Sequence, residues 1–282
     1  MRWLKNLFSR GEGETTPAPI ASAEAAAPAA PSSDWASHQR VSESGPVAVA
    51  VDLALEARAP LLDRPRLVRV RYALRAPRPD GLPGPAEAEA LARVEDLLAT
   101  ALAPAGAVYA GRVTLAGFRE HHFYLPDAVG VASELDGVRA ALAEYDLAQA
   151  GEDDPAWHAY RQELFPTPRA WRWLQDRRLV EALVRRGDRI EQARPVDHQA
   201  SFPTAAAREA FAAEAEGQGF AAVARRDDGP APSGFGVDLR RTDPATLQHL
   251  HAVAWSLAEL AARHGGGYDG WQAEAVTTAV GA

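Results

Sequence analysis

The chain has no cysteine among its 282 residues. That excludes disulfide scaffolds, thiolate metal sites and cysteine nucleophiles together. It has one lysine, Lys5, so 29 of its 30 basic residues are arginine. Positive charge is in deficit: 38 acids against 30 bases leave a formal net charge of −8. A balance this acidic argues against phosphate-driven nucleic-acid binding by the whole chain, which needs clustered positive charge. Long apolar runs are missing as well. No stretch reaches the ~18 residues of a transmembrane helix. What is present is ordinary for a globular protein, with 47% hydrophobic and 24% charged residues. At ~150 residues per domain the length suggests two domains.

The first ten residues read MRWLKNLFSR. Trp3, Leu4, Leu7 and Phe8 fall on one helical face, which reads either as a weak membrane or partner anchor or as a frayed terminus. A signal peptide needs an uninterrupted apolar region of ~7–15 residues, and Lys5 and Asn6 break this one. Gly11 to Ser33 is rich in Ala, Pro, Ser, Thr and Gly, the composition of a flexible linker. The expected location is the cytoplasm.

Two α+β domains are expected, at 34–166 and 167–282, after a tail and linker at 1–33. In the first, Val47–Leu55, Leu67–Leu74, Ala107–Leu115 and Glu120–Leu125 read as strands. Glu87–Ala103, Val131–Tyr145 and Asp154–Phe165 read as helices, the last with Asp154 as cap and Pro155 at its first position. The second domain opens with a helix at Pro168–Arg186, capped by Thr167. There follow strand Ala193–Phe202, helix Ala205–Glu216, strands Phe220–Arg226 and Phe235–Arg241, a helix started by Asp243 and Pro244, and strand Tyr268–Val276. The order β-α-β-β-α-β is the split βαβ of ferredoxin-like folds, an antiparallel sheet with helices on one face.

Three strings in the second domain carry a resemblance: LVRRGDRIEQARPVDHQASF (Leu179–Phe202), GQGF (Gly217–Phe220) and HGGGYDGWQAEAV (His264–Val276). They resemble the regulator of ribonuclease activity B (RraB) family over about Trp173 to Val276. An acidic residue commonly follows the Trp in that family, and Gln272 departs from this. The first domain resembles domain-of-unknown-function family 695 in APLLDRPRLVRVRYAL, GLP, TLAGFREHHFY and DDPAWHAYRQELFP. The resemblance implies a ferredoxin-like C-terminal domain, a protein-binding regulatory role on an endoribonuclease, and no catalysis.

The residues themselves offer little chemistry. Asp197 and His198 are adjacent on a strand, so they point to opposite faces. His198 shares its face with Val196, Ala200 and Phe202 and reads as a half-buried core histidine. His121 and His122 are separated in the same way. His249 and His251 lie roughly 200° apart on a helix and cannot hold one metal. Asp153 and Asp154 suit a helix start. Gly265 to Gly267 precede a strand, so they lack the helix amides of a phosphate loop. No GxSxG turn or HExxH pair occurs. No catalytic residue, metal site or cofactor is therefore expected.

The string SGFGVDL (Ser233–Leu239) sits where RNA-recognition modules carry stacking aromatics, but it supplies only Phe235. Arg177-Arg178, Arg185-Arg186, Arg225-Arg226 and Arg240-Arg241 read as solvated charge. Trp173, Tyr268 and Trp271 read equally as interface anchors or core plugs. The candidate partner-binding residues are Arg194, His198, Phe235, Tyr268, Asp269 and Trp271. The expected function is a non-enzymatic, protein-binding regulator that inhibits a ribonuclease E-type enzyme by surface docking. The alternatives are an RNA-binding module using the C-terminal sheet face, or an enzyme of a kind the motifs do not reveal. By segment, the tail is charge-balanced, the first domain carries −7 and the second −1.

Overall fold

Apolar alternation builds the first sheet, and backbone pairing extends it beyond what alternation shows. The computed structural model describes residues 33–127, 130–227, 229 and 234–277. The N-terminal anchor and most of the linker lie outside these residues, as do Asp228, Pro230 and Ser233.

Six antiparallel strands form the first sheet: β1 (Trp35–Ser42), β2 (Gly45–Asp52), β3 (Arg66–Ala73), β4 (Val108–Leu115), β5 (Phe118–Leu125) and β6 (Ala148–Asp153). Their order is β1-β2-β4-β5-β3-β6. Two helices, α1 (Ala88–Leu102) and α2 (Val131–Ala141), connect them. Without the β1–β2 hairpin, the order β6-β3-β5-β4 is again a split βαβ. Val68, Val70 and Tyr72 alternate along β3 toward the helices. They share a core with Leu91, Val94 and Leu98 of α1 and Leu135 and Val138 of α2.

The other face of this sheet is closed by residues 154–165. A regular helix is expected there, but the helical residues run only over 158–164, and the last five, Tyr160–Leu164, form a π-turn. Trp157 takes a left-handed backbone (φ +55°), stacks on Tyr124 at 3.8 Å and donates to the Arg64 carbonyl. Asp154 does cap, accepting from the His158 and Ala159 N–H groups at 2.7 and 2.9 Å and from the Tyr124 hydroxyl at 2.8 Å. Burial of the indole overrides the helical pattern here.

Two strands give no hydrophobic signal in the sequence. All six residues of β6 are exposed, and its side-chain ties to β3 are the pairs Arg66–Asp153 and Arg69–Glu152. The inward positions of β1 are Ala36, His38 and Arg40, of which only Ala36 is apolar.

Helix α3 (Pro168–Arg185) follows, with the Thr167 hydroxyl accepting from Ala170 N–H at 3.3 Å. The second sheet contains β7 (Arg194–Phe202), β8 (Ala221–Arg226), β9 (Phe235–Asp243) and β10 (Gly267–Ala273). Its order, β10-β7-β9-β8, is antiparallel throughout and is the ferredoxin-like arrangement expected. Helices α4 (Ala205–Glu216) and α5 (Leu247–Arg263) pack on one face, where Ala200, Phe202, Val237 and Leu239 meet Phe211 and Leu257. The expected start of α5 at Asp243 is corrected. Asp243 is the last residue of β9, paired with Arg194, and Thr246 precedes the first helical turn.

Helix α3 belongs to both sheets. Leu174 joins the core behind β1 and β2, while Val180 and Leu183 pack with Val196, Leu250, Ala254 and Trp271.

Candidate functional site

Small residues open a groove at the β1 end of the first sheet. Ala50 pairs with Arg112, and Ala48 with Thr114, which in turn pairs with Arg119. These positions share the face that carries α1, and alanine on β2 leaves that face shallow. The N-terminal half of α3 rises beside β1. Between them lies a groove of about 820 Å³. Arg40, Arg112, Arg119, Arg169, Arg177 and His251 line it, and no Asp or Glu does.

The arginines are held differently. Arg112 reaches Glu95 of α1 at 2.5 Å, and Arg177 lies 3.5 Å from Glu181 and 4.9 Å over the Trp173 ring. Arg169 lies over Trp255 at 5.6 Å, and Arg40 donates to the Gln162 carbonyl at 3.4 Å. Arg119 is only 8% exposed, and its Nε donates to the Thr114 hydroxyl at 3.1 Å. Burial holds its guanidinium below the ordinary value, and the neighbouring Arg112 pushes the same way. At the groove wall, buried His38 uses Nε2 on the Leu164 carbonyl, and its Nδ1 has no partner.

His251 connects the groove to a buried polar network. Its Nδ1 lies 3.0 Å from Asp176 Oδ2. Asp176, fully buried on α3, also accepts from Trp271 Nε1 at 2.9 Å and lies 3.1 Å from Arg172 Nε. The Arg172 guanidinium sits 5.5 Å over the Tyr268 ring, and the Tyr268 hydroxyl meets His198 Nδ1 at 2.8 Å. Burial outweighs these partners and pushes the Asp176 pKa up. It also pushes Tyr268 well up and takes His198 down to about 4. The aromatic residues of the YDGW string thus clamp α3 and α5 to the second sheet.

Burial also holds His38 and His121 below the ordinary histidine value. An unfolded chain takes up protons near pH 6.5 at these positions and the native state does not, so stability falls as the pH drops below 6.5. For His198 the loss is complete near pH 4. Denaturant midpoints measured from pH 7 to 4 check this. His198→Gln should flatten the slope, and an unchanged slope would assign the acid sensitivity elsewhere.

The six candidate partner-binding residues are scattered. Arg194 is buried and closes the 188–192 loop through Asp188 at 2.5 Å and the Arg189 and Gln192 carbonyls. His198, expected to be half-buried, is buried outright with Nε2 unpartnered, and Trp271 is buried beside it. Phe235 and Tyr268 are half-buried. Asp269 is exposed and accepts from the Ser201 hydroxyl at 3.1 Å. Phe235 pairs with buried Phe202 and lies 5.8 Å below the Arg208 guanidinium of α4, so it sits on the helix face. The opposite face presents the pairs Asp197–Arg240 and Asp238–Arg226. A stacking platform for RNA on that face loses its aromatic.

Sequence spacing shows no metal-ligand set, but tertiary folding assembles one cluster. Glu163 from the π-turn meets Glu120 and His122 of β5, with ligand atoms within 4.8 Å of one another. Arg69 lies among these groups, 3.4 Å from Glu120 and 2.9 Å from Glu163, and already supplies positive charge. His249 bonds Asp243 at 2.6 Å while His251 faces Asp176, so the two helix histidines diverge as expected.

Asp176 had one legible signal: it precedes Val180 and Leu183 at the i, i+4, i+7 spacing of a buried helix face. Nothing local marks the groove arginines, which come from four separate elements.

No curated protein matches this chain. A solved structure of an unknown protein from Galdieria sulphuraria is 15% identical, covering 76% of this chain and 99% of that one, with a TM-score of 0.20. Among the described residues no helix is long and apolar enough to cross a membrane. Family of unknown function (DUF695) matches residues 33–165 and Regulator of ribonuclease activity B matches residues 173–273, so the chain carries the two matches one after the other in that order.

Proposed function

We propose that this chain is a non-catalytic regulator that docks on a ribonuclease E-type endoribonuclease in the cytoplasm and slows it. The match of residues 173–273 to Regulator of ribonuclease activity B carries this reading. The chemistry of the segment supports it. Its buried ionisable side chains Asp176, Arg194 and His198 are engaged with neighbouring protein groups. The exposed Asp269 and the solvent-facing edges of half-buried Phe235 and Tyr268 then serve as contact residues.

Purified chain should lengthen the time a ribonuclease E-type enzyme needs to cleave a single-stranded RNA, and should co-purify with that enzyme. Asp269→Arg should weaken both effects without altering thermal stability by more than ~0.5 kcal/mol, since the residue is exposed. Failure of both inhibition and co-purification in the unmodified chain would sink the reading.

A further inference from the structure

We propose that the arginine-lined groove between the β1 end of the first sheet and α3 binds a phosphate-bearing ligand of about nucleotide size. The charge pattern is the first reason. The chain carries −8, and its first domain −7, yet this groove gathers five arginines and no lining carboxylate. Glu95 offsets Arg112, Glu181 offsets Arg177, and Asp176 faces His251. Arg40, Arg119 and Arg169 make no ion pair among the described residues. An excess of three guanidinium charges matches a phosphate monoester dianion better than a single carboxylate.

Arg119 is the second reason. A buried cation costs stability unless it is paired. Its hydrogen-bond partner is the neutral Thr114 hydroxyl, Arg112 is a like charge beside it, and the Glu95 carboxylate that attracts it is already paired with Arg112. An anion in the groove relieves both. Arginine suits the task because its planar fork can give two parallel N–H bonds to phosphate oxygens.

Shape sets the size. A volume of about 820 Å³ lies within the ~300–1,000 Å³ range of small-molecule sites and far exceeds one phosphate. Ala48, Ala50 and Trp173 supply apolar wall for the rest of the ligand. Several cations are tethered before any ligand arrives, through Glu95, Gln162 and the rings of Trp173 and Trp255. That restraint lowers the entropy lost on binding.

The test uses the full chain alone, so it does not depend on the ribonuclease reading. Adenosine 5′-monophosphate, adenosine, inorganic phosphate, and a pentaribonucleotide with and without a 5′-phosphate are titrated calorimetrically at low salt. The expected result is binding of adenosine 5′-monophosphate, at least tenfold tighter than inorganic phosphate and at least a hundredfold tighter than adenosine. Binding of the pentamer only when 5′-phosphorylated would place the phosphate on an RNA end rather than on a free nucleotide. Arg119→Gln and the exposed Arg169→Gln should each weaken binding at least tenfold. Arg119→Gln should also raise the melting temperature of the ligand-free protein. Pentamer binding indifferent to the 5′-phosphate, no binding of any phosphate at 1 mM (about −4 kcal/mol on the affinity scale), or equal affinities in Arg169→Gln would each overturn the proposal.

Discussion

Gly266→Ala should destabilise the protein by about 3 kcal/mol, at the upper end of the usual overpacking cost. The same substitution at its two neighbours should do far less. A Cβ at Gly266 would sit 2.2 Å from Phe202 Cδ1 and 2.6 Å from the Ser201 carbonyl oxygen. Phe202 is a buried core residue and Ser201 contributes backbone, so neither can yield. Gly265 has open space around it but a φ of +71°, where an L-residue costs about 1 kcal/mol. Gly267 has neither restriction, so Ala there should change stability by less than ~0.5 kcal/mol. Urea unfolding of the three variants checks the ranking. Equal costs at the three positions would show that chain flexibility, rather than contact with Phe202, is what the glycine run provides.

Asp176→Ala should cost about 3–5 kcal/mol, the range for removing one partner of a buried charged pair. It strips the acceptor from Trp271 Nε1 and from His251 and removes the ion pair with Arg172 at once. Asp176→Asn should cost about 1–2 kcal/mol, close to one hydrogen bond to a charged group. It keeps an oxygen for Trp271, removes the charge, and puts an NH2 where the second oxygen faces His251. Burial raises the Asp176 pKa in the folded protein, so ionising it opposes folding as the pH rises above the unfolded value of 3.8. Asn removes that pH slope together with the charge-assisted bonds. Denaturant unfolding at pH 7 separates the two variants. If they cost the same, the ion pair with Arg172 dominates; if both cost under ~1 kcal/mol, the network does not hold α3 in place.

Much of the fold was legible because faces are written in local periods. The 3.6-residue period places Leu91, Val94 and Leu98 on one side of α1, and alternation places Val196, His198, Ala200 and Phe202 on one side of β7. Failures occurred where packing or pairing outweighs pattern. Trp157 turns an expected helix into an irregular plug because stacking on Tyr124 buries the whole indole. β6 pairs with β3 through backbone and ion pairs, with no apolar face to betray it. Phe235 sits where a base-stacking aromatic would, in a string that otherwise reads as a plain strand, and register with Phe202 turns it to the helix side. Trp271 reads in the sequence equally as anchor or plug, and burial with a bond to Asp176 makes it a plug.

By itself, the sequence determined the β-α-β-β-α-β order of residues 193–276, the exclusion of thiol chemistry, the placing of the acidity in residues 34–166 and the two family resemblances. Those properties depend on composition or on neighbours within a few residues. Tertiary structure alone decided that α3 serves both sheets, that Asp176 joins His251 and Trp271, and that arginines from positions 40 to 177 converge on one groove. Side chains far apart in sequence leave no local period to read, because their meeting is fixed by strand register and helix docking.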